Sequence, residues 1–201
     1  MKSLAIIRDE HRALAAVLHG LLYLVRDIRD RRTAPDFAVL SAMLYYIDAF
    51  PERFHHPKED RYLFPLVRAR APQSGPLIDA LEAEHVVGAT KMRALMQALT
   101  RYREGGAAEA APFLTAAEDY VLFERDHMRR EERDILPVAE KHLTAGDWDT
   151  VDAAFTGSTD PLLGIEPGMQ WTHLFSRIAN LAPPPIGVGP EPQRSSEPHK
   201  A

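Results

Sequence analysis

Two stretches of this 201-residue sequence follow one pattern, HHPKEDRYLFP at 55–65 and HMRREERDILP at 127–137: His-x3-Glu, an acidic residue, a gap, two apolar residues and Pro. Each carries a His followed four positions later by a Glu, His55 with Glu59 and His127 with Glu131. Positions i and i+4 share one face of a helix, so each pair presents an imidazole and a carboxylate together. A second duplication, Glu10-His11 and Glu84-His85, adds two more imidazoles. The offsets agree: 74 residues between His11 and His85, 72 between His55 and His127. Four imidazoles and two carboxylates form a mixed N/O donor set that suits two iron or manganese ions with both Glu bridging. Zinc also accepts imidazole, but a closed structural zinc site needs only four ligands and would leave carboxylates spare. With two His per ion and both Glu shared, each ion has four protein contacts and keeps positions for exogenous oxygen donors.

The elements that must carry these residues are helical. Leu4, Ile7, His11, Leu14, Leu18, Leu21, Val25 and Ile28 fall at alternating steps of three and four. Ile78, Leu81, His85, Gly88, Met92, Leu95, Leu99 and Tyr102 repeat those steps. Such spacing draws one buried stripe along a helix. A second seam runs through Phe37, Leu40, Leu44 and Ile47 and on through His55, Glu59, Leu63 and Leu66. A fourth runs through Phe113, Ala116, Tyr120 and Phe123 and on through His127, Glu131, Ile135 and Val138. Breakers separate the four: Pro35, the segment Ala71–Pro76, Gly105-Gly106 and Gly146. Short connections between long helices make antiparallel neighbours, so the expected fold is all-α, an up-down-up-down four-helix bundle over residues 1–145. Pro57 cannot donate to the carbonyl of Arg53, and Pro51 precedes it by six, which predicts a kink or bulge between residues 47 and 57.

At about 1.5 Å per residue, the six donors differ in height by about 8 Å, close enough to share one layer. Without a metal, that layer would hold two ionised carboxylates in the core, at a steep desolvation cost. A cation pair removes the cost. The metal set expected from the residues is therefore His11, His55, Glu59, His85, His127 and Glu131. His56, about 100° round from His55, is expected at the surface or behind the ligands. Glu10 and Glu84 are expected to be solvated, and Tyr45, Tyr46 and Tyr120 to be packing residues, with one of them the alternative donor to a metal-bound oxygen.

With EH at 10–11, HHPKEDRYLFP at 55–65, EH at 84–85 and HMRREERDILP at 127–137, the chain resembles the hemerythrin family over about residues 3–143. It is most similar to the HHE cation-binding branch found in bacteria. The resemblance implies a non-haem di-iron centre, oxo- or hydroxo-bridged, with those same six residues as ligands. It also marks two departures. Oxygen-carrying relatives have a second His one turn after the third-helix His, where this chain has Ala89. They have His-x4-Asp on the last helix, whose counterpart by spacing is Glu132, although the internal repeat favours Glu131. One His fewer points away from stable oxygen carriage. The expected function is binding or sensing of oxygen, nitric oxide or peroxide. The alternatives are iron storage, donation or repair of damaged iron centres, or a di-iron oxidase or peroxidase. The repair branch often carries a cysteine-bearing N-terminal region, which this sequence lacks.

Composition narrows the classes. The absence of Cys excludes a thiol nucleophile, a thiolate zinc site and iron–sulfur ligation. A formal charge of −5 gives no electrostatic reason to expect nucleic acid or anionic membrane as a partner. The N-terminus has no long apolar stretch and no run reaches the length of a membrane span, so a cytoplasmic location is expected. No general acid–base pair is readable, so no catalytic residue is assigned. Residues 146–182 are expected to form a helical extension, from Asp147 to Phe155 and again from Trp171 to Leu181, that caps the bundle or supports a homodimer or protein partner. Residues 183–201, rich in Pro, are expected to be a disordered tail.

Overall fold

A computed structural model describes residues 1–156, and every element in that range is helical. The second appendix helix expected at 171–181, the tail at 183–201, His173 and His199 lie outside the described residues. The first rod of the bundle is α1 (Lys2–Arg29). The second joins α2 (Phe37–Ile47), α3 (His56–Lys58) and α4 (Phe64–Arg70) through π-helical turns at Asp48–His55 and Glu59–Leu63. The third is α5 (Gly75–Gly105). The fourth joins α6 (Ala110–Arg130) to α7 (Leu136–His142) through a π-helical turn at Glu131–Ile135. A last helix, α8 (Ala145–Thr156), follows. α1 packs against α2 and α6, and α5 packs against α2 and α6, so the rods close a ring.

Local chemistry sets the boundaries. Asp36 caps α2, its carboxylate accepting from the N–H groups of Ala38 and Val39. α5 stops at Gly106, whose φ of 69° only glycine adopts freely. The expected bulge at Pro51 and Pro57 is present as the π-helical segment Asp48–His55. The other two π-helical turns sit just before Pro65 and Pro137. In them the Phe64 N–H reaches back five residues to Glu59, and that of Leu136 to Glu131. A proline inside a helix removes one i→i−4 bond and crowds the carbonyl behind it, and a wider turn relieves both.

The core is divided. One apolar cluster runs from Leu14 to Val25, Val39 to Phe50, Met92 to Tyr102 and Phe113 to Met128. The other holds Leu4, Ile7, Leu63, Phe64, Val67, Ile78, Leu81, Ile135, Leu136 and, from α8, Trp148, Val151 and Phe155. Between them, on every rod, lie the His and Glu residues. α8 is fixed to the start of α1 by Asp152, which accepts from the N–H groups of Lys2 and Ser3 and from the Ser3 hydroxyl. It is fixed to α4 by a two-pronged Arg70–Asp147 ion pair. Phe155 lies edge-on to the His55 ring, so α8 walls one side of the polar layer. No helix among the described residues is long and apolar enough to cross a membrane.

Candidate metal centre

All six expected donors meet in this layer, each at most 7% exposed. The imidazoles form two facing pairs. His11 Nε2 is 3.0 Å from His55 Nε2, and His85 Nε2 is 3.0 Å from His127 Nε2. The carboxylates span the pairs. Glu59 places Oε1 3.2 Å from His55 Nε2 and Oε2 3.8 Å from His85 Nε2. Glu131 places Oε2 3.4 Å from His11 Nε2, and Oε1 3.1 Å from His127 Nε2 and 3.7 Å from His85 Nε2. Each Glu thus offers one oxygen to either side. By this geometry the inward carboxylate of the last rod is Glu131. Glu132 is half-exposed and turned to the outer nitrogen of His11.

The carboxylate oxygens are placed better for a metal than for hydrogen bonds. None of the four oxygens of Glu59 and Glu131 receives a hydrogen bond, although all are buried. Two ligands each about 2.1 Å from one ion, at right angles, are about 3.0 Å apart. The nearest donor pairs, at 3.0–3.4 Å, lie close to that edge length. His11, His55, Glu59 and Glu131 together offer four buried donors mutually within 4.8 Å.

The outer nitrogens are also accounted for. Each His donates from Nδ1 to a carboxylate on the preceding rod of the ring: His55 to Glu10 at 2.7 Å, His85 to Asp60 at 2.7 Å, His127 to Glu84 at 3.0 Å and His11 to Glu132 at 3.1 Å. The first rod holds the second, the second the third, the third the fourth, and the fourth the first. Fixing the proton on Nδ1 leaves the Nε2 lone pair facing the centre, the arrangement that orients metal-ligating imidazoles. Glu10 and Glu84 are therefore not simply solvated, as their position beside a ligand suggested. Their side chains are 17% and 22% exposed and each grips the adjoining rod. Arg130 adds a contact to Glu84, and the two partners hold that carboxyl at about 2 against the cost of burial.

The electrostatics favour positive charge in the layer. Burial alone would lower the imidazole of His55, but Glu59 and Glu10 outweigh it and lift it to about 10. Against the same burial, Glu131 and Glu84 lift His127 to about 11, and Asp60, Glu131 and Glu59 lift His85 to about 9. His11 is raised as well, by Glu131 and Glu132. Glu131 resists the burial that would protonate it, because His127, His11 and His85 hold it well below the ordinary carboxylate range.

Of the two positions expected for His56, the structure takes the inner one. The residue is 3% exposed, because the π-helical segment before it turns two consecutive residues inward. Its ring nitrogens come within 4.8 Å of those of His85 and His127. Its ring, however, lies parallel to that of His85, with centroids 4.1 Å apart and planes 9° apart. An ion in the plane of the His85 ring would sit outside the plane of His56, so the geometry seats His56 behind His85 and not beside it on one ion. The fourth seam departs from expectation: Ala117 and Glu124 are fully buried, while Ala116 and Phe123 are only partly so. Ala89 lines an open cleft with Glu52, His56, Asp60 and His85. A second cleft, lined by His11, Ala15, Met128 and Glu132, reaches the other imidazole pair.

No curated protein and no solved structure matches the chain at a significant level. A family model does, over residues 2–139, which span all four rods and the whole His/Glu layer. The chain belongs to the family of the hemerythrin HHE cation-binding domain.

Proposed function

We propose that the layer holds two iron ions, one on the His11/His55 side and one on the His85/His127 side, with Glu59 and Glu131 bridging. The proposed ligands are His11, His55, Glu59, His85, His127 and Glu131. The observation that carries this reading is the division of each carboxylate, one oxygen to either imidazole pair. Iron fits better than zinc because two nitrogens and two oxygens per ion leave an iron centre unsaturated. Ala89 keeps the His85 side reachable from its cleft. The open positions would take a small ligand, oxygen, nitric oxide or peroxide, and iron chemistry would supply electron exchange with it. The chain would thus serve as a binding or sensing protein. Its residues orient the donors from outside, exclude bulk water with two apolar clusters, and admit small molecules through two clefts.

The test is anaerobic loading with Fe²⁺, oxygen titration followed by visible absorption, then removal of oxygen. A band that appears with oxygen and disappears with its removal supports reversible binding. Irreversible conversion to a bridged ferric spectrum transfers support to redox or iron-handling work at the same centre. Failure to retain two ions refutes the centre itself.

A further inference from the structure

Beside the His85/His127 side lies a second group of buried acids that the six-residue centre does not use. Glu124 is fully buried and neither of its oxygens has a hydrogen bond. The Glu52 side chain is 4% exposed. Tyr120 has one hydroxyl proton to give, and it donates to Glu52 Oε1 at 2.9 Å. Among the described residues, neither carboxylate has a Lys or Arg within ion-pairing distance. The Nδ1 of His56, buried and without a hydrogen-bond partner, points at Glu52, 3.9 Å from its Oε2. Gly88 leaves the room. A Cβ there would come 3.1 Å from Glu52 Oε1, 3.2 Å from Glu124 Oε1 and 3.3 Å from Phe123.

Burial raises both carboxyls, Glu52 to about 7 with the help of Glu124, so they take up protons unless a cation at the shared gap lets them ionise. Carboxylate oxygens with one imidazole nitrogen suit a divalent transition-metal ion. The open cleft containing Glu52, Asp60 and His85 leads from solvent to this group and to the centre alike. We propose that Glu52 and Glu124, whose oxygens meet at the gap left by Gly88, form a third cation site, with His56 beside Glu52, weaker than the paired centre, which takes up a divalent metal ion on its way between solvent and the His85/His127 side.

This inference rests on the reading of the His/Glu layer as the metal centre, and metal counting separates the two. Apo protein would be titrated anaerobically with Fe²⁺, and in parallel with Mn²⁺ while free Mn²⁺ is followed by electron paramagnetic resonance. The wild type is expected to bind two ions tightly and a third more weakly. Glu52→Gln and Glu124→Gln, which keep side-chain volume, should lose the third ion and retain the first two. Gly88→Ala, which narrows the gap without changing charge, should weaken the third. Loading of the tight ions, followed by stopped flow, should slow about tenfold or more in Glu52→Gln as the local attraction is lost. Circular dichroism verifies the fold of each variant. Two tight ions with no third, or a third that survives both Gln variants, would overturn the proposal and leave the centre standing. A wild type that binds no ion would overturn both.

Discussion

Metal loading should release two protons per two ions, one from each imidazole pair. All four Nδ1 positions carry a proton that is held by a carboxylate. The Nε2 atoms face each other in pairs at 3.0 Å, so one of each pair must donate while the other accepts. Two N–H groups cannot meet head-on at that distance. Each pair therefore holds one Nε2 proton when no metal is bound. With His55 at about 10 and His127 at about 11, both pairs keep that proton across the neutral range. Metal must displace it, because ligation uses the same lone pairs.

The consequence is a slope. Between about pH 7 and 9, the product of the two binding constants should rise about a hundredfold per pH unit, since each displaced proton contributes a factor of ten, about 1.4 kcal/mol per ion. The gain should flatten as the pH approaches the pKa values of the pairs. Calorimetric titration with Mn²⁺ in buffers of different ionisation enthalpy counts the protons directly, without oxidation. Release near four protons would mean that both nitrogens of each pair are protonated and the rings stand apart. Release near zero would mean neutral pairs. Either result refutes the argument.

Further outcomes follow from the same geometry. Glu131→Gln should lose one ion or loosen both, whereas Glu132→Gln should retain two ions with affinity lowered about 10- to 100-fold, as measured by chelator competition. The metal-free protein should lose stability on going alkaline. The one extra proton of each imidazole pair, held above the ordinary 6.5, contributes stability that is fully present below that pH and is lost as pH rises through about 10–11. Its melting temperature should fall from pH 7 to 10, and that of the loaded protein should fall less. Trp148→Ala, which empties a buried position where α8 meets the apolar cluster of Leu4, Phe64 and Ile135, should destabilise by about 3–5 kcal/mol in denaturant titration.

The six central donors were legible because side-chain periodicity in a helix is rigid and the two halves repeat it. The bulge near Pro51 and Pro57 was legible for a steric reason, the missing N–H. The same bulge decided between the two positions open to His56: the 100° step between consecutive residues holds only while the helix is regular. Glu124 was not legible. On the last rod, Ala116 and Phe123 look like the apolar choice, and steps through Phe113, Ala117, Tyr120, Glu124, His127 and Glu131 place an acid in the core, which hydrophobic spacing alone cannot anticipate. The outer carboxylates left a readable trace. An acid stands next to His11, Glu59, His85 and Glu131, at Glu10, Asp60, Glu84 and Glu132, but which neighbouring rod it meets depends on the packing.

That packing makes a sharper prediction about the outer carboxylates. Glu10 and Glu132 orient the His11/His55 pair, and Asp60 and Glu84 the His85/His127 pair, each pair serving one ion in the proposed centre. A double substitution of Glu10→Gln with Glu132→Gln therefore concentrates two losses on one side. Each loss is worth about 10- to 100-fold in affinity. Chelator removal should then be biphasic, with one ion leaving early and the other late. Glu10→Gln with Glu84→Gln divides the losses between the sides, and both ions should leave together at an intermediate rate. The two doubles remove the same charge and the same number of hydrogen bonds, so general weakening of the bundle would give them one profile. Identical profiles would mean that the bridging carboxylates average the two sides, and that the ring of outer carboxylates acts on the bundle instead of on its individual ligands.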